Sequence, residues 1–352
     1  MPRWPRLHDA QGAARRVNDD EVDAHYGAAA RVALAAFPLD VHAVSPVAVS
    51  ENVTFRVRGQ LVSAVAPGDF VLRLHRPGYH SPASLNSEHQ WVRALGEAGI
   101  AVPRPLRTRD GDEFAHVHIP VAGEWRPAGL AHWQHGEILG DTLADVHDAA
   151  LLENWYRQLG ALMAAMHVQA CAWTPNAGFT RHALDADGLV GPAPFWGPFW
   201  EHPTFTALER ALIVATRDRL HAALLRLGRP ADSYSLIHAD LHPGNLLLDD
   251  GRLHVIDFDD AGFGWHAYDI AVALFRVRSL PHGKRIAAAL VAGYRTRRAL
   301  PDALLSLLPM FLLVRELALV GWVMQRPELA RGVSREEAEA LCDRCLAFEA
   351  PC

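Results

Sequence analysis

The sequence predicts an α+β protein of two lobes, a small antiparallel β-sheet lobe with one helix followed by a larger, mainly helical lobe. A chain of 352 residues is long for one hydrophobic core and short for three. The first third of the sequence alternates apolar and polar residues, whereas most later segments have the composition of helices. We expect lobe boundaries at residues 1–120 and 121–352, with the proline- and glycine-containing stretch 120–129 as connector.

The N-terminal lobe is predicted from alternating, β-branched segments that are separated by turn residues such as Pro67-Gly-Asp69. The predicted strands are residues 51–58, 70–75, 104–109 and 113–119. Ser84 to Ala98 has the composition of a helix, with Ser84 or Ser87 as its N-cap and Gly99 just beyond its end. These elements predict a sheet that carries one helix.

The C-terminal lobe is predicted to be helical apart from one short hairpin. The predicted helices are residues 154–167, 205–227, 268–276, 282–300, 304–324 and 334–350. Leu246 to Asp249 and Arg252 to Ile256 flank Asp250-Gly251 as the two strands of the hairpin. Residues 174–203 are rich in proline, glycine and tryptophan, which predicts an irregular insert packed by aromatic rings.

Charge and hydropathy exclude some classes of partner. A net charge of −6 argues against a nucleic-acid-binding surface, which needs concentrated positive charge. The apolar stretch 304–324 is interrupted at its centre by Arg315 and Glu316, so we expect a buried helix rather than a membrane span. Met1 to Ala10 does not have the pattern of a secretory signal, so we expect a cytoplasmic protein.

Two neighbouring segments place polar residues between apolar strand residues. Residues 236–248 contain His238, Asp240 and Asn245, and residues 255–260 read VIDFDD, with Asp257 at the end of the hairpin. Burying such polar groups is costly unless they bind something. Phosphoryl transfer needs a carboxylate that orients and deprotonates the attacking hydroxyl, and oxygen ligands for a metal ion. This pattern predicts that chemistry here.

The spacing assigns a role to each residue. Asp240 followed five residues later by Asn245 matches the catalytic-loop spacing of kinases, with the aspartate as base and the asparagine as magnesium ligand. Asp257 is the expected principal metal-binding carboxylate. His238 is expected to brace the loop. Taken singly, these residues are also typical of turns and caps, and it is the whole string that favours catalysis.

The strings HADLHPGN (238–245) and IDFDD (256–260) resemble those of the aminoglycoside phosphotransferase and choline kinase superfamily, which has the protein-kinase-like fold. Residues 70–79, with Ser50-Glu-Asn52 upstream, resemble the N-lobe of bacterial stress-response kinase A and type II homoserine kinases. The resemblance covers roughly residues 35–345. It implies a bilobal kinase-like fold that uses ATP and Mg²⁺.

The resemblance also implies nucleotide contacts in the N-terminal lobe. A basic strand residue should contact the phosphates and pair with a helix glutamate, and by position these are Arg73 and Glu88. Kinases use lysine there, whereas Lys284 is the single lysine of this chain and lies beyond the metal motif. Arginine keeps the charge but presents a planar fork, so the exchange is not neutral.

The remaining implied contacts depart further from the kinase pattern. Ser50 and Asn52 stand where a glycine-rich loop would cover the phosphates. Ile119 and Val121 should present backbone groups to the adenine edge. Asp269 resembles a structural aspartate at a helix start, where a carboxylate accepts hydrogen bonds from backbone N–H groups. Asp259 takes either a second metal or a loop-stabilising role.

The acceptor is expected to be a hydroxyl, either on a protein Ser/Thr, as in the stress-response kinase, or on a small alcohol such as homoserine. The alternatives are an aminoglycoside-type antibiotic kinase, a nucleotide-binding pseudokinase, and a His/Asp metal hydrolase. The hydrolase would combine His238 and His242 with His116 and His118. It leaves Asn245 and Asp257 without a role. No nucleic-acid or membrane partner is expected.

Overall fold

The computed structural model describes residues 19–143, 148–326 and 332–348. Its contacts divide the chain into two units. Unit 1 comprises Met1–Gly136 and Pro175–Thr180, and unit 2 comprises Glu137–Thr174 and Arg181–Cys352. The expectation about Met1 to Ala10 concerns residues outside the described ranges.

Unit 1 is built around a six-stranded antiparallel sheet. Its strands are β1 (Leu39–Val49), β2 (Val53–Leu61), β3 (Gly68–Leu74), β4 (Pro105–Leu106), β5 (Ala115–Ile119) and β6 (Glu124–His132). The strand order is β1-β2-β3-β6-β4, and β5 also pairs with β6. Its helices are α1 (Asp19–Val22), which continues through the π-helical turn Asp23–Gly27 into α2 (Ala28–Leu34), and α3 (Pro82–Glu97).

The core of unit 1 lies between the sheet and α2. Alternate residues of β2 and β3 are buried, including Phe55, Phe70 and Leu72, as the alternating sequence predicts. Ala30 and Leu34 of α2 pack into the same apolar cluster. The predicted single helix of this lobe is therefore joined by a second one, which closes one side of the core.

Two features of unit 1 differ from the sequence prediction. β1 was not predicted because it is an edge strand with few buried residues. The helix α3 begins one turn earlier than expected, since the Ser81 hydroxyl accepts a hydrogen bond from Ser84 N–H and serves as N-cap. Gly99 follows the helix with a positive φ of 82°, as predicted.

The predicted connector at residues 120–129 requires a correction. Residues 124–132 form β6, which pairs with β3, β4 and β5 and so belongs to the middle of the sheet. The division between the units falls after Gly136 instead of after residue 120. Proline and glycine mark the turn of a β-hairpin here, because Ile119 of β5 pairs with Glu124 of β6.

Unit 2 is mainly helical and contains two three-stranded sheets. Its helices are α4 (Leu139–Leu143), α5 (Ala149–Ala172), α6 (Ala186–Val190), α7 (Ala207–Leu227), α8 (His266–Phe275), α9 (Gly283–Arg295), α10 (Asp302–Leu305), α11 (Leu308–Met324) and α12 (Arg335–Ala347). Its strands are β7 (Glu137–Ile138), β8 (Ala183–Leu184), β9 (Tyr234–Ile237), β10 (Leu246–Asp249), β11 (Arg252–Val255) and β12 (Gly262–Trp265). The sheet orders are β11-β10-β7 and β8-β12-β9.

The hairpin and the helices of unit 2 follow the sequence prediction closely. β10 and β11 form the predicted hairpin around Asp250-Gly251, with Asp249 opposite Arg252. The predicted insert at 174–203 is irregular and packed by aromatic rings, with Phe195 stacked on His182 at a centroid distance of 3.8 Å. The strands β8, β9 and β12 were not predicted, since they are short and, unlike β10 and β11, are not joined by a local turn.

The apolar segment Asp302–Met324 is long and apolar enough to cross a membrane by composition. Within the protein, 56% of its most apolar window is buried. A single segment of this kind within the described residues is weak evidence for a membrane span, because core helices have the same composition.

Helices α5 and α9 approach each other unusually closely at two glycines. A Cβ atom at Gly160 would lie 2.0 Å from the Leu290 carbonyl oxygen, and one at Gly293 would lie 1.9 Å from the Arg157 carbonyl oxygen. Any larger residue would push the helices apart. This contact fixes the distance between α5 and α9.

Candidate active site

The segment after β9 is held in place by its first residue, His238, which is fully buried. The His238 main-chain N–H donates to Asp269 Oδ2 at 3.2 Å. Its ring Nδ1 accepts from Asp240 N–H at 3.3 Å, so Nε2 carries the proton and donates to the Ile256 carbonyl at 3.1 Å. His238 thus ties the loop to the end of the hairpin, and its bracing role stays a prediction.

Ala239 adopts a left-handed conformation with φ of 64°. This region is unfavourable for residues that carry a Cβ atom. The Ala239 N–H donates to Asp269 Oδ1 at 2.7 Å, so the two carboxylate oxygens of Asp269 hold two successive backbone N–H groups. The reversed backbone at Ala239 determines where the side chain of Asp240 points.

Asp269 lies in the first turn of α8 and is completely buried. Burial raises its pKa to about 6, although hydrogen bonds from the loop N–H groups favour the charged form. His167 approaches Oδ2 through Nε2 at 3.0 Å. The predicted contact between this carboxylate and backbone donors is therefore present, and its donors belong to the catalytic loop.

The Asp240 carboxylate is surrounded by donors. Arg315 Nη2 donates to Oδ1 at 2.5 Å, and Asn245 Nδ2 donates to Oδ2 at 2.9 Å. His242 Nε2 lies 3.3 Å from Oδ2. Burial opposes ionisation, but the neighbouring His242 imidazole and Arg315 guanidinium outweigh it and hold the pKa of Asp240 well below its usual range. The carboxylate is therefore ionised and fixed in direction.

Arg315 was not identified as a site residue from the sequence. Its side chain is 5% exposed in the middle of α11. Burial lowers the arginine pKa, while Asp240 and Tyr268 raise it, and the net shift is upward. The available signal was the charge within an apolar helix, because a buried guanidinium requires a partner. The sequence could not show that this partner is Asp240.

His242 was considered only as a metal ligand in the hydrolase alternative. Its Nδ1 accepts a hydrogen bond from Gly244 N–H at 3.0 Å, so its Nε2–H faces Asp240. A Cβ atom at Gly244 would lie 2.7 Å from the His242 ring, so this loop requires glycine there. The imidazole therefore places a second N–H group beside the carboxylate.

Asn245 lies just before β10 and Asp257 lies just after β11, so both are at the end of the hairpin opposite its turn. Leu246 pairs with Val255, and the next bond runs from Ile256 N–H to the Asn245 carbonyl at 3.0 Å. Because Asn245 Nδ2 is turned toward Asp240, its amide oxygen is the atom that can serve a cation. Asp257 has a positive φ of 63°, which turns the chain sharply at the expected metal-binding carboxylate.

This donor set fits a hard divalent cation. It supplies one amide oxygen and one carboxylate, and magnesium usually takes its other ligands from phosphate and water. No cluster of three or more His, Cys, Asp or Glu residues that could hold a metal by itself occurs within the described ranges. The residues at the end of the hairpin are therefore suited to a metal that arrives with a nucleotide.

A buried arginine, Arg181, shapes the segment after Asp257 and was missed by the sequence analysis. Its Nε donates to the Ala261 carbonyl at 2.6 Å, and its Nη2 donates to the Asp259 carbonyl at 2.6 Å. Arg181 thereby stabilises the turn through main-chain oxygens. The choice between the two roles predicted for Asp259 stays open.

The four candidate nucleotide contacts in unit 1 lie near the β1–β2 turn, on β3 and on α3. Ser50 N–H donates to the Asn52 carbonyl at 2.9 Å. Asn52 is 6% exposed and its Oδ1 accepts from Arg76 N–H at 2.9 Å. Arg73 lies on β3, opposite Thr54 of β2 and Gly129 of β6, and Glu88 is a buried residue of α3. Asn52 therefore already stabilises the local backbone.

Ile119 and Val121 do not lie in a segment that joins the two units. Ile119 ends β5 and is fully buried, whereas Val121 is 65% exposed in the β5–β6 turn. The chain enters unit 2 after Gly136, so Ile119 and Val121 do not lie at the connector that was expected to contact the adenine edge.

The metal hydrolase alternative is not supported by the histidine positions. His116 and His118 are exposed residues of β5 in unit 1, while His238 and His242 belong to the loop of unit 2. Both ring nitrogens of His238 are used in hydrogen bonds within unit 2. His238 and His242 thus shape the loop around Asp240.

The left-handed backbone at Ala239 leads to a stability prediction. We expect Ala239→Gly to leave the free energy of unfolding within about 0.5 kcal/mol of wild type, because relief of the left-handed penalty offsets the lost methyl group. The matched control Ala271→Gly, in the buried face of α8, should cost about 1–2 kcal/mol, since nothing offsets the loss there. Urea unfolding measures both. Equal losses for the two variants would contradict the strain at Ala239.

The chain is similar to known proteins in family, sequence and structure. A model of the phosphotransferase enzyme family named APH matches residues 45–304. The amicoumacin kinase of Bacillus subtilis is 25% identical over 284 residues, which cover 77% of this chain and 78% of that protein. A homoserine kinase of Gluconacetobacter diazotrophicus is 31% identical over 271 residues, covering 73% of this chain and 75% of that protein.

Solved structures agree with these matches. A microcompartment-associated aminopropanol kinase superposes with a TM-score of 0.71 and 31% identity, covering 89% of this chain and 92% of that one. The amicoumacin kinase hAmiN in complex with AMP-PNP, Ca²⁺ and Ami has a TM-score of 0.72 at 22% identity, covering 93% and 94%, and supports the fold. The family match spans more than half of the chain and includes the loop around Asp240. This chain is therefore a member of the APH phosphotransferase enzyme family, a kinase with the protein-kinase-like fold.

Proposed function

We propose that this enzyme transfers the γ-phosphoryl group of Mg²⁺-bound ATP to a hydroxyl group of a small molecule. Three relatives are named for small molecules, namely amicoumacin, homoserine and aminopropanol. These names favour a small acceptor over the protein Ser/Thr that the sequence left open. The observation that carries the proposal is the Asp240 carboxylate, which is ionised and oriented by Arg315 and Asn245.

Asp240 is proposed to receive the acceptor hydroxyl. A carboxylate with a depressed pKa is a weak base, so its first task is to orient the hydroxyl by accepting its hydrogen bond. The transition state of phosphoryl transfer is loose, and the acceptor proton becomes acidic as the new P–O bond forms. Asp240 then takes that proton late, at the carboxylate oxygen that faces the acceptor.

Asn245 and Asp257 are proposed to hold the metal ion. When bound, magnesium would neutralise the charge that develops on the transferred phosphate. Asn245 connects the two functions, since its nitrogen end restrains Asp240 and its oxygen end is available to the cation. The metal and the base are thereby kept at a defined separation by one side chain.

Unit 1 is proposed to supply the nucleotide contacts. Arg73 keeps the positive charge for the phosphates, and Glu88 is buried in α3 as its proposed partner. Ser50 and backbone N–H groups near Asn52 are proposed to cover the phosphates. These roles follow the family resemblance, and they await binding measurements on variants of the four residues.

The first prediction concerns the base. Asp240→Ala should lower kcat by at least about 10²-fold, because it removes the group that orients and deprotonates the acceptor. The nucleotide Kd should remain within a few-fold of wild type. Transfer from labelled ATP to a panel of 1-amino-2-propanol, L-homoserine, amicoumacin, an aminoglycoside and a protein substrate measures the effect and identifies the acceptor. Asp249→Ala, on the neighbouring strand β10, is the matched control. Undiminished transfer by Asp240→Ala would refute the assignment.

The second prediction concerns the metal. Asp257→Ala should weaken ATP binding at least about tenfold in the presence of Mg²⁺ and leave binding in EDTA unchanged, because a carboxylate ligand of the cation is lost. Titration calorimetry with and without Mg²⁺ measures both. Asp259→Ala, measured in parallel, decides whether the second carboxylate takes a metal. Normal Mg²⁺-dependent affinity of Asp257→Ala would remove this residue from the site.

The third prediction concerns Arg315. Arg315→Met leaves a buried carboxylate without its cation, so we expect a loss of about 3 kcal/mol in unfolding free energy. The kcat should also fall at least about tenfold, since the carboxylate loses its fixed direction. Arg278→Met removes another partly buried arginine, which pairs with Glu316, and serves as control. Denaturation and steady-state kinetics separate the effects. A kcat that falls equally in both variants would show that Arg315 acts through stability alone.

A further inference from the structure

A chain of buried polar side chains lies behind the catalytic loop and ends at Tyr294 of α9. The chain runs from the loop N–H groups to Asp269, then to His167 of α5 and to Tyr294. We propose that His167 and Tyr294 are positioning residues that act through Asp269 to hold Asp240 in its reactive direction. This inference rests on the proposed function, because it assigns a role to Asp240 in the transfer.

The contacts in this chain are short and continuous. The Tyr294 hydroxyl lies 2.9 Å from His167 Nδ1, and His167 Nε2 lies 3.0 Å from Asp269 Oδ2. Asp269 in turn accepts the N–H groups of His238 and Ala239. The exposed fractions of His167, Asp269 and Tyr294 are 0%, 0% and 1%. These three side chains are therefore shielded from bulk solvent.

The hydrogen-bond directions follow from the ionised form of Asp269, which the two donated backbone N–H groups favour. Asp269 is an acceptor for the two backbone N–H groups, so His167 Nε2 must carry the proton that faces it. Burial lowers the pKa of His167 to about 3, which leaves the imidazole neutral. Its Nδ1 is then an acceptor, and the Tyr294 hydroxyl must donate to it. Each side chain thus fixes the orientation of the next one.

The imidazole of His167 is also fixed by ring packing. His266 stacks on it with centroids 4.1 Å apart and an interplanar angle of 10°. The His266 ring is itself anchored, with Nε2 2.9 Å from Ser235 Oγ. The ring of His167 therefore cannot turn away from Asp269 without breaking this stack and its two hydrogen bonds.

The helices that carry the chain form a rigid base. His167 lies on α5 and Tyr294 on α9, and these helices are in backbone contact at Gly160 and Gly293. Since Gly293 immediately precedes Tyr294, the closest approach of the helices sets the position of the tyrosine. The helix pair thus holds His167 and Tyr294 in a fixed position relative to Asp269.

The series of buried polar side chains ends at Ala239, where the loop backbone has its left-handed conformation. Ala239 has an unfavourable positive φ, and its N–H makes the shortest bond to Asp269, at 2.7 Å. Such conformations persist where the surroundings over-determine them. If Asp269 shifts, Ala239 can relax, and the carboxylate of the next residue, Asp240, then changes direction. A purely structural buried network would not require this dependence of Asp240 on Tyr294.

The first test removes one hydroxyl. Tyr294→Phe should lower kcat about fivefold, the effect of losing one hydrogen bond, with the KM for ATP within about twofold of wild type. Tyr234→Phe is the matched control, because the Tyr234 hydroxyl also makes one hydrogen bond in unit 2, to the Phe263 carbonyl at 3.2 Å. Both variants should lose similar stability, but Tyr234→Phe should keep its kcat.

The second test replaces the imidazole in two steps. His167→Gln keeps an N–H donor for Asp269 and loses the contact with Tyr294, whereas His167→Leu loses both. The expected order of kcat is wild type, then His167→Gln, then His167→Leu. Partial rescue by glutamine is a result that a role in packing alone would not produce.

A measurement that needs no acceptor keeps the two proposals separable. Hydrogen–deuterium exchange of the peptide that covers residues 236–246 should become faster in Tyr294→Phe and stay at the wild-type rate in Tyr234→Phe. If wild-type enzyme phosphorylates no acceptor, the proposed function fails while the exchange result still decides the positioning role. Unchanged kcat and unchanged exchange in Tyr294→Phe would overturn the inference, as would equal losses of kcat in both tyrosine variants.

Discussion

The catalytic loop depends on the buried Asp269 carboxylate. Its two oxygens accept hydrogen bonds from the backbone N–H groups of His238 and Ala239. These bonds offset the energetic cost of the left-handed conformation at Ala239. A side-chain carboxylate can do this because it accepts several hydrogen bonds at once and stays fixed within a helix. The direction of Asp240, and with it the whole proposed active site, follows from this interaction.

A second constraint is the balance of buried charge around Asp240. A carboxylate removed from water is strongly destabilised unless cations or donors surround it. Arg315, His242 and Asn245 supply that compensation from one helix and one loop. The same groups that make burial tolerable also keep the carboxylate ionised. Stability and catalytic readiness are therefore served by one set of contacts.

Three arginines have distinct places in the proposed site, and only Arg73 stands where kinases use lysine. Arg73 occupies the proposed phosphate-binding position of β3, Arg181 binds the carbonyl groups after Asp257, and Arg315 pairs with Asp240. A guanidinium has five donors in a rigid plane, so it can bind several oxygens in a defined geometry. This suits a site in which the polar loop must be held from several sides.

The sequence by itself determined the local part of the site. Residues within one short loop and hairpin, such as Asp240, Asn245 and Asp257, are related by fixed spacing, so their pattern was sufficient to predict the family and the kinase fold. The hairpin followed from Asp250-Gly251, because turn residues and alternation act locally. These features are encoded over fewer than thirty residues.

The tertiary structure decided everything that joins distant segments. Arg315 lies 75 residues from Asp240, and Tyr294 lies 127 residues from His167, so no local pattern reports either pair. The strand β6 was mistaken for a connector because proline and glycine mark hairpin turns and linkers alike. Residues that are distant in sequence become partners when they are buried together, because a buried charge or donor needs a polar group beside it. The sequence therefore determined which chemistry is present, and the packing of α5, α8, α9 and α11 decided which side chains hold it in place.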